Sequence, residues 1–266
     1  NQTRSIAYFG SNAHKNTIRN CILESNSTND AVVLFDNYYS TNGCDSNTFS
    51  NCDFKPSNGT YPGRYRMGVS FASLLTADSG TSATKIDSCD FVDFYSFCIN
   101  MEKASSNQNL TITHNKFHQS ANYGATIFPF RFQAYGTNLI ADNEIYDTYT
   151  NQSVYGMYIL EAQNLTITRN KINIAPGSST NALYGIYLIS AATFNTINIT
   201  NNQIRIEPLG GNNQLITGIH DAGAQTTINM LYNTVYIGGQ STGTTNTYCV
   251  SRENPFFNSS TWNCRN

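Results

Sequence analysis

Charge is scarce in this chain of 266 residues: 15 Lys and Arg stand against 17 Asp and Glu, 12% of the total, for a net charge of −2. That excludes the basic footprint of a nucleic-acid binder and the polybasic patch of a membrane-surface protein, so neither partner is expected. No run of 18 apolar residues occurs, so no membrane-inserting helix is read. Asn1 opens no basic region followed by an apolar core, so no signal peptide is read, and the chain looks like an excised or mature piece with further sequence upstream. A 3.6-residue apolar stripe is missing too, and with it any expectation of amphipathic helices. Seven cysteines, an odd number, leave at least one thiol without a partner inside the chain.

What is present is a repeat. The segment Asn164-Leu-Thr-Ile-Thr-Arg-Asn-Lys-Ile-Asn-Ile174 recurs in altered copies that keep the frame apolar-x-x-Asn-x-apolar, with Asn115, Asn143, Asn170, Asn202 and Asn233 at the fourth place. Three earlier copies place Cys21, Cys52 and Cys89 there. Successive positions lie 31, 37, 26, 28, 27, 32 and 31 residues apart, a near-constant period that marks a solenoid with slack taken up in loops. Apolar and polar residues alternate within each copy, so the unit is built of strands. A second, Gly-led segment recurs in most intervals, as in Gly156-Met-Tyr-Ile159 and Gly185-Ile-Tyr-Leu188. Two or three strands per coil follow, stacked in parallel from coil to coil about 4.8 Å apart.

The expected fold is therefore all-β: a single-stranded, right-handed parallel β-helix of about eight to nine coils over residues 1–250. Residues 251–266 are a C-terminal cap or the start of a divergent coil. The Asn/Cys ladder is expected at a tight turn, where a left-handed residue is best accommodated as Asn and stacked amides bond along the column. Cys21, Cys52 and Cys89 continue that column as small apolar fillers, at a spacing that also admits one disulfide between neighbours. Cys249 and Cys264 flank an aromatic segment outside the regular repeat and are the preferred disulfide, stapling the last turn.

Function in such a fold sits on outward columns. With Val69, Ile99, Met157, Ile186 and Ile219 inward, the Gly-led strand turns out Ser70, Asn100, Thr126 or Phe128, Tyr158, Tyr187 and His220, with Glu102, Arg131 and Glu161 close by. Aromatic rings beside polar groups suit the apolar faces and hydroxyls of sugars, which makes Tyr158, Tyr187, His220, Glu161 and Arg131 the candidate glycan contacts. Tyrosine also favours strands with no function attached. Arg64 and Arg66 form the clearest positive cluster and read as a solvated loop. A threonine lattice for ice is interrupted by Arg19, Lys85, Asp87 and Ala141. Among acids, Asp142, Glu144 and Asp147 come nearest to a catalytic group, but they flank ladder Asn143 on a turn that faces water. His114 and His118 lack ligand spacing, and His220-Asp221 has no nucleophile context, so no catalytic residue, cofactor or metal is expected.

Asn16-Thr-Ile-Arg-Asn-Cys-Ile22, Leu110-Thr-Ile-Thr-His-Asn-Lys-Phe117, Tyr184-Gly-Ile-Tyr-Leu188 and Tyr232-Asn-Thr-Val-Tyr-Ile-Gly-Gly239 together resemble the right-handed parallel β-helix repeats of pectate-lyase-like proteins. More narrowly, they are similar to β-helical segments of large secreted surface proteins of Bacteroidota-type bacteria. The shared positions are those of ladder and core. The polygalacturonase signatures Asn-Thr-Asp, Asp-Asp, Gly-His-Gly and Arg-Ile-Lys are absent, and no Asp/Arg set matches pectate lyases. The resemblance implies a non-catalytic extracellular module of a larger surface protein, secreted or at the cell surface, acting as a rigid stalk or adhesin. Its expected partners are a polysaccharide or surface glycan, and flanking domains of the same chain or end-to-end neighbours. The competing expectation is a polysaccharide lyase or glycoside hydrolase whose acids come from separate coils.

Overall fold

A computed structural model describes residues 5–10, 13–25, 31–36, 44–57, 67–72, 83–101, 109–121, 124–176, 181–189, 195–210, 215–222, 226–239, 246–253 and 261–265. Arg64, Arg66 and Glu102 lie outside them. The described chain is a parallel β-solenoid of three sheets, termed A, B and C, with nine, nine and eight strands. Eight coils contribute one strand to each sheet, and a ninth contributes Asn246–Arg252 to sheet A and Thr261–Arg265 to sheet B. The sixth coil shows the plan: Val154–Ala162 in sheet A, Leu165–Thr168 in sheet B, Lys171–Ile174 in sheet C. Thr261–Arg265 pairs in register with Thr227–Leu231, so this part of the C-terminal segment extends sheet B.

The core is a set of side-chain stacks running along the axis. In the early coils Phe9, Phe35 and Phe71 stack with ring centroids 4.8 and 4.7 Å apart, and Phe54, Phe91 and Phe117 do so at 4.4 and 4.9 Å. Later coils fill the same positions with aliphatic residues: Ile145, Ile172 and Ile204 continue the Phe117 column, and Ile159 and Leu188 continue that of Phe132. All of these are buried. Like side chains one strand spacing apart pack directly on one another along each column.

Sheets B and C meet at a two-residue turn of constant form. The residue before each ladder position is left-handed: His114 at φ 56°, Asp142 at 57°, Arg169 at 55°, Asn201 at 56° and Tyr232 at 57°, with Asn20, Asn51 and Ser88 likewise before the cysteines. This corrects the sequence reading, which assigned the left-handed conformation to the ladder Asn. The ladder residue follows the turn and points inward. Asn143 donates from both its backbone N–H and its Nδ2 to Oδ1 of Asn170, each at 3.0 Å, and from Nδ2 to the Ile112 carbonyl at 2.9 Å. Asn115, Asn170 and Asn202 repeat the pattern, so the amide oxygens of Asn143, Asn170, Asn202 and Asn233 each receive two donors from the preceding coil.

The cysteines extend the column differently. Cys89 N–H donates to Asn115 Oδ1 at 2.9 Å, whereas Cys52 and Cys89 direct Sγ at carbonyls two residues earlier, at 3.3 and 3.4 Å. All seven cysteines are free thiols, so the structure contains neither the Cys249–Cys264 bridge nor one within the Cys21, Cys52 and Cys89 run. Cys264 follows Met230 in an inward column of sheet B, while Cys249 follows Gly218 in sheet A. Their exposure reflects their place in the last coil.

Sheet A carries a close approach at Gly156 and Gly185, in a column where earlier coils place Cys98 and Pro129. A Cβ on Gly185 would lie 2.5 Å from the Gly218 carbonyl oxygen and 2.5 Å from Ile204 Cγ2, and one on Gly156 would lie 2.6 Å from the Gly185 oxygen. The strand bends there to pack against sheet C, and the obstructing oxygen belongs to backbone that cannot withdraw. Gly185→Ala is expected to lower unfolding free energy by roughly 1–3 kcal/mol. Asn170→Ala, which strips two buried donors of their acceptor, should cost roughly 2–5 kcal/mol. Asn198→Ala, in an outer amide pair with Asn229, should cost under about 1 kcal/mol, with urea denaturation as the measurement.

Candidate functional site

The bend at Gly156 and Gly185 leaves two outward residues per coil, one on each side of it. Residues before the bend form one column, in which Phe97, Phe128, Tyr155 and Tyr184 stack at 5.2, 4.8 and 5.0 Å. Residues after it form a second, in the register Ser70, Asn100, Arg131, Tyr158, Tyr187, His220 and Ser251. Here Tyr158 and Tyr187 stack at 5.4 Å and Tyr187 and His220 at 4.8 Å. Edge contacts join the columns, Tyr155 to Tyr158 at 5.2 Å and Tyr184 to Tyr187 at 4.6 Å. Seven rings from five coils thus make one aromatic face.

This placement sorts the sequence candidates. Tyr158, Tyr187 and His220 do share a column, and Arg131 precedes them in it, with its guanidinium 5.5 Å from the centre of the Phe97 ring. The fifth coil therefore contributes Arg131, where the sequence reading placed Thr126 or Phe128; Phe128 belongs to the other column. Glu161 is set apart. Across an irregular register it pairs with Gln133, whose Nε2 donates to it at 2.8 Å, and it also accepts from the Tyr135 hydroxyl. Sequence reasoning framed the repeat from the glycine onward and so does not reach Tyr155, Tyr184 and Phe97. Their signal was an aromatic residue immediately before Gly156, Gly185 and Cys98.

Stacking decides what the face offers. Neighbouring rings in a column cover each other's faces at interplanar angles of 12° to 24°, so edges and phenol hydroxyls are left for an incoming molecule. Burial raises the pKa of Tyr155, Tyr184 and Tyr187, with that of Tyr184 pushed up to about 12. These hydroxyls stay protonated through neutral pH and both donate and accept.

The acids of the sheet B–C turn are already occupied. Arg169 binds Asp142 through two hydrogen bonds of 2.8 and 2.7 Å and holds its carboxyl below the usual range. Asp87 accepts from Thr113 at 2.6 Å and lies 3.0 Å from His114 Nδ1 and 3.1 Å from Lys85 Nζ; despite its desolvation, its pKa too is lowered by these hydrogen bonds. His114 reaches from Asp87 towards Asp142, whose Oδ2 is 3.9 Å from Nε2. Neither carboxyl retains a proton to give at neutral pH, which a glycosidic general acid must. Among the described residues, no three His, Cys, Asp or Glu side chains converge as a metal site.

No protein-family model matches this chain, and no curated protein or solved structure matches it.

His220 is 3% exposed, and its burial depresses the imidazole pKa below the ordinary 6.5, against the opposing pull of Glu253 and Asp221. As pH falls through 6.5 the unfolded chain takes up a proton that the folded chain refuses, so stability declines until the folded-state pKa is reached and then levels off. His220→Gln is expected to flatten this segment of a urea-midpoint profile between about pH 7 and 5, leaving the carboxylate-driven fall at lower pH in place.

Proposed function

We propose that the chain is a rigid β-solenoid module of a larger extracellular surface protein, a stalk or adhesive segment that contacts glycans without cleaving glycosidic bonds. The observation that carries this reading is the aromatic face of sheet A, with Tyr155, Tyr158, Tyr184 and Tyr187 held in one array by stacking. A continuous ladder and core make the array rigid, so little ordering entropy is lost when a polymer lies along it. Neutral phenols, with ring edges of partial positive charge beside them, suit the hydroxyl groups of a sugar. Low net charge favours a neutral polymer over nucleic acid or an anionic membrane.

Cys52, Cys89 and Cys98 are buried, whereas Cys249 and Cys264 are exposed. Burial raises Cys52 and Cys98 and pushes Cys89 up to about 12, which leaves almost no thiolate to react. The likeness of the repeats to pectate-lyase-like proteins and bacterial surface proteins supports the same reading at the level of sequence. Asp142 and Asp87, both ionised and hydrogen-bonded to their neighbours, do not serve as the general acid of a hydrolase.

A glycan-array screen with the whole chain tests this, run beside an assay for reducing ends and unsaturated products on pooled polysaccharides. Binding without product release is expected, weakened about tenfold or more by Tyr158→Ala or Tyr187→Ala. Product release, or binding indifferent to both substitutions, would reject it.

A further inference from the structure

The last two coils bring together Ser251, His220 and Glu253. His220 and Ser251 are register partners in sheet A, and Ser251 Oγ lies 2.6 Å from His220 Nδ1. The other ring nitrogen, Nε2, lies 3.5 Å from Glu253 Oε1 and is buried without a hydrogen-bond partner. We propose that Ser251 is an activated nucleophile, with His220 as its general base and Glu253 orienting the imidazole, forming an acyl-transfer site for carboxylic esters at one end of the aromatic face.

Four observations support the roles. The imidazole is packed in place by Tyr187 at 4.8 Å and Tyr184 at 5.2 Å, so its nitrogens keep their directions. A carboxylate facing Nε2 favours the tautomer protonated there, which leaves Nδ1 free to accept the serine proton. The groups around the ring are Tyr184, Tyr187, Asp221, Ser251 and Glu253, and burial outweighs the two acids, so the imidazole is neutral at pH 7 and able to accept a proton. Glu253 is anchored by its own N–H on the Asp221 carbonyl at 2.9 Å, which keeps its exposed carboxylate beside the ring.

In acylation a bond forms from Ser251 Oγ to the ester carbonyl carbon and the serine proton passes to Nδ1. The alcohol leaves with that proton. Water, deprotonated by the same nitrogen, releases the acid and restores Ser251.

This site does not depend on glycan binding. The test is an alkyl fluorophosphonate, with which Oγ forms a bond to phosphorus as fluoride leaves, followed by intact mass and peptide mapping of the whole chain. One adduct on Ser251 is expected, forming at least about a hundredfold faster than in the urea-unfolded chain. Ser251→Ala should abolish it and His220→Gln should slow it about a hundredfold, each with an unchanged thermal melt. The wild-type rate should rise with pH to a plateau, with its midpoint below the ordinary 6.5 of histidine. The proposal fails if the folded chain gives no adduct, if the adduct sits on a tyrosine, or if His220→Gln, still folded, reacts at the wild-type rate.

Discussion

The structure depends on one interaction repeated along its later coils, the buried amide that ties one sheet B–C turn to the next from Cys89 to Asn233. A left-handed residue followed by an inward one reverses the chain in two residues, and the inward residue must then satisfy its own N–H inside the core. The Asn of the following coil accepts from that N–H and from the side-chain amide together, so turn geometry and coil spacing are fixed by the same bonds. Because the acceptor always lies in the next coil, the column has a direction. Cys89 stands where it can: its N–H uses the Asn115 oxygen, and its thiol needs only a nearby carbonyl.

Constant spacing at that turn lets the rest of the coil vary. Loop length changes elsewhere while every column keeps its register, and like side chains meet like in the core and on the surface. On the outside of sheet A this produces stacked tyrosines whose faces are mutually covered. The consequence for recognition is physical: such a face offers hydroxyls and edges in a rigid line, not open platforms. It also desolvates whatever ends the column, and His220, stacked on Tyr187, stays neutral because it does so beside buried neighbours.

Much of this was legible beforehand. The ladder positions, the coil period, the inward residues of the Gly-led strand and the shared column of Tyr158, Tyr187 and His220 all follow from periodicity, because each coil repeats the same backbone problem. What escaped was local geometry that periodicity does not encode. The left-handed residue lies one place earlier than the Asn that marks it. Glu161 leaves the aromatic column through a register shift. Phe128 stacks between Phe97 and Tyr155 and so occupies the other column.

The sequence by itself determined the coil, since a recurring Asn, an alternating apolar pattern and a fixed interval admit one way of stacking strands and burying their inner side chains. Tertiary structure decided which residues from different coils touch. Ser251, His220 and Glu253 are separated along the chain by as much as a coil, and their distances depend on how far each loop carries the backbone before the next ladder rung resets it. Register is set by backbone hydrogen bonds between coils, and those form only when the solenoid is wound.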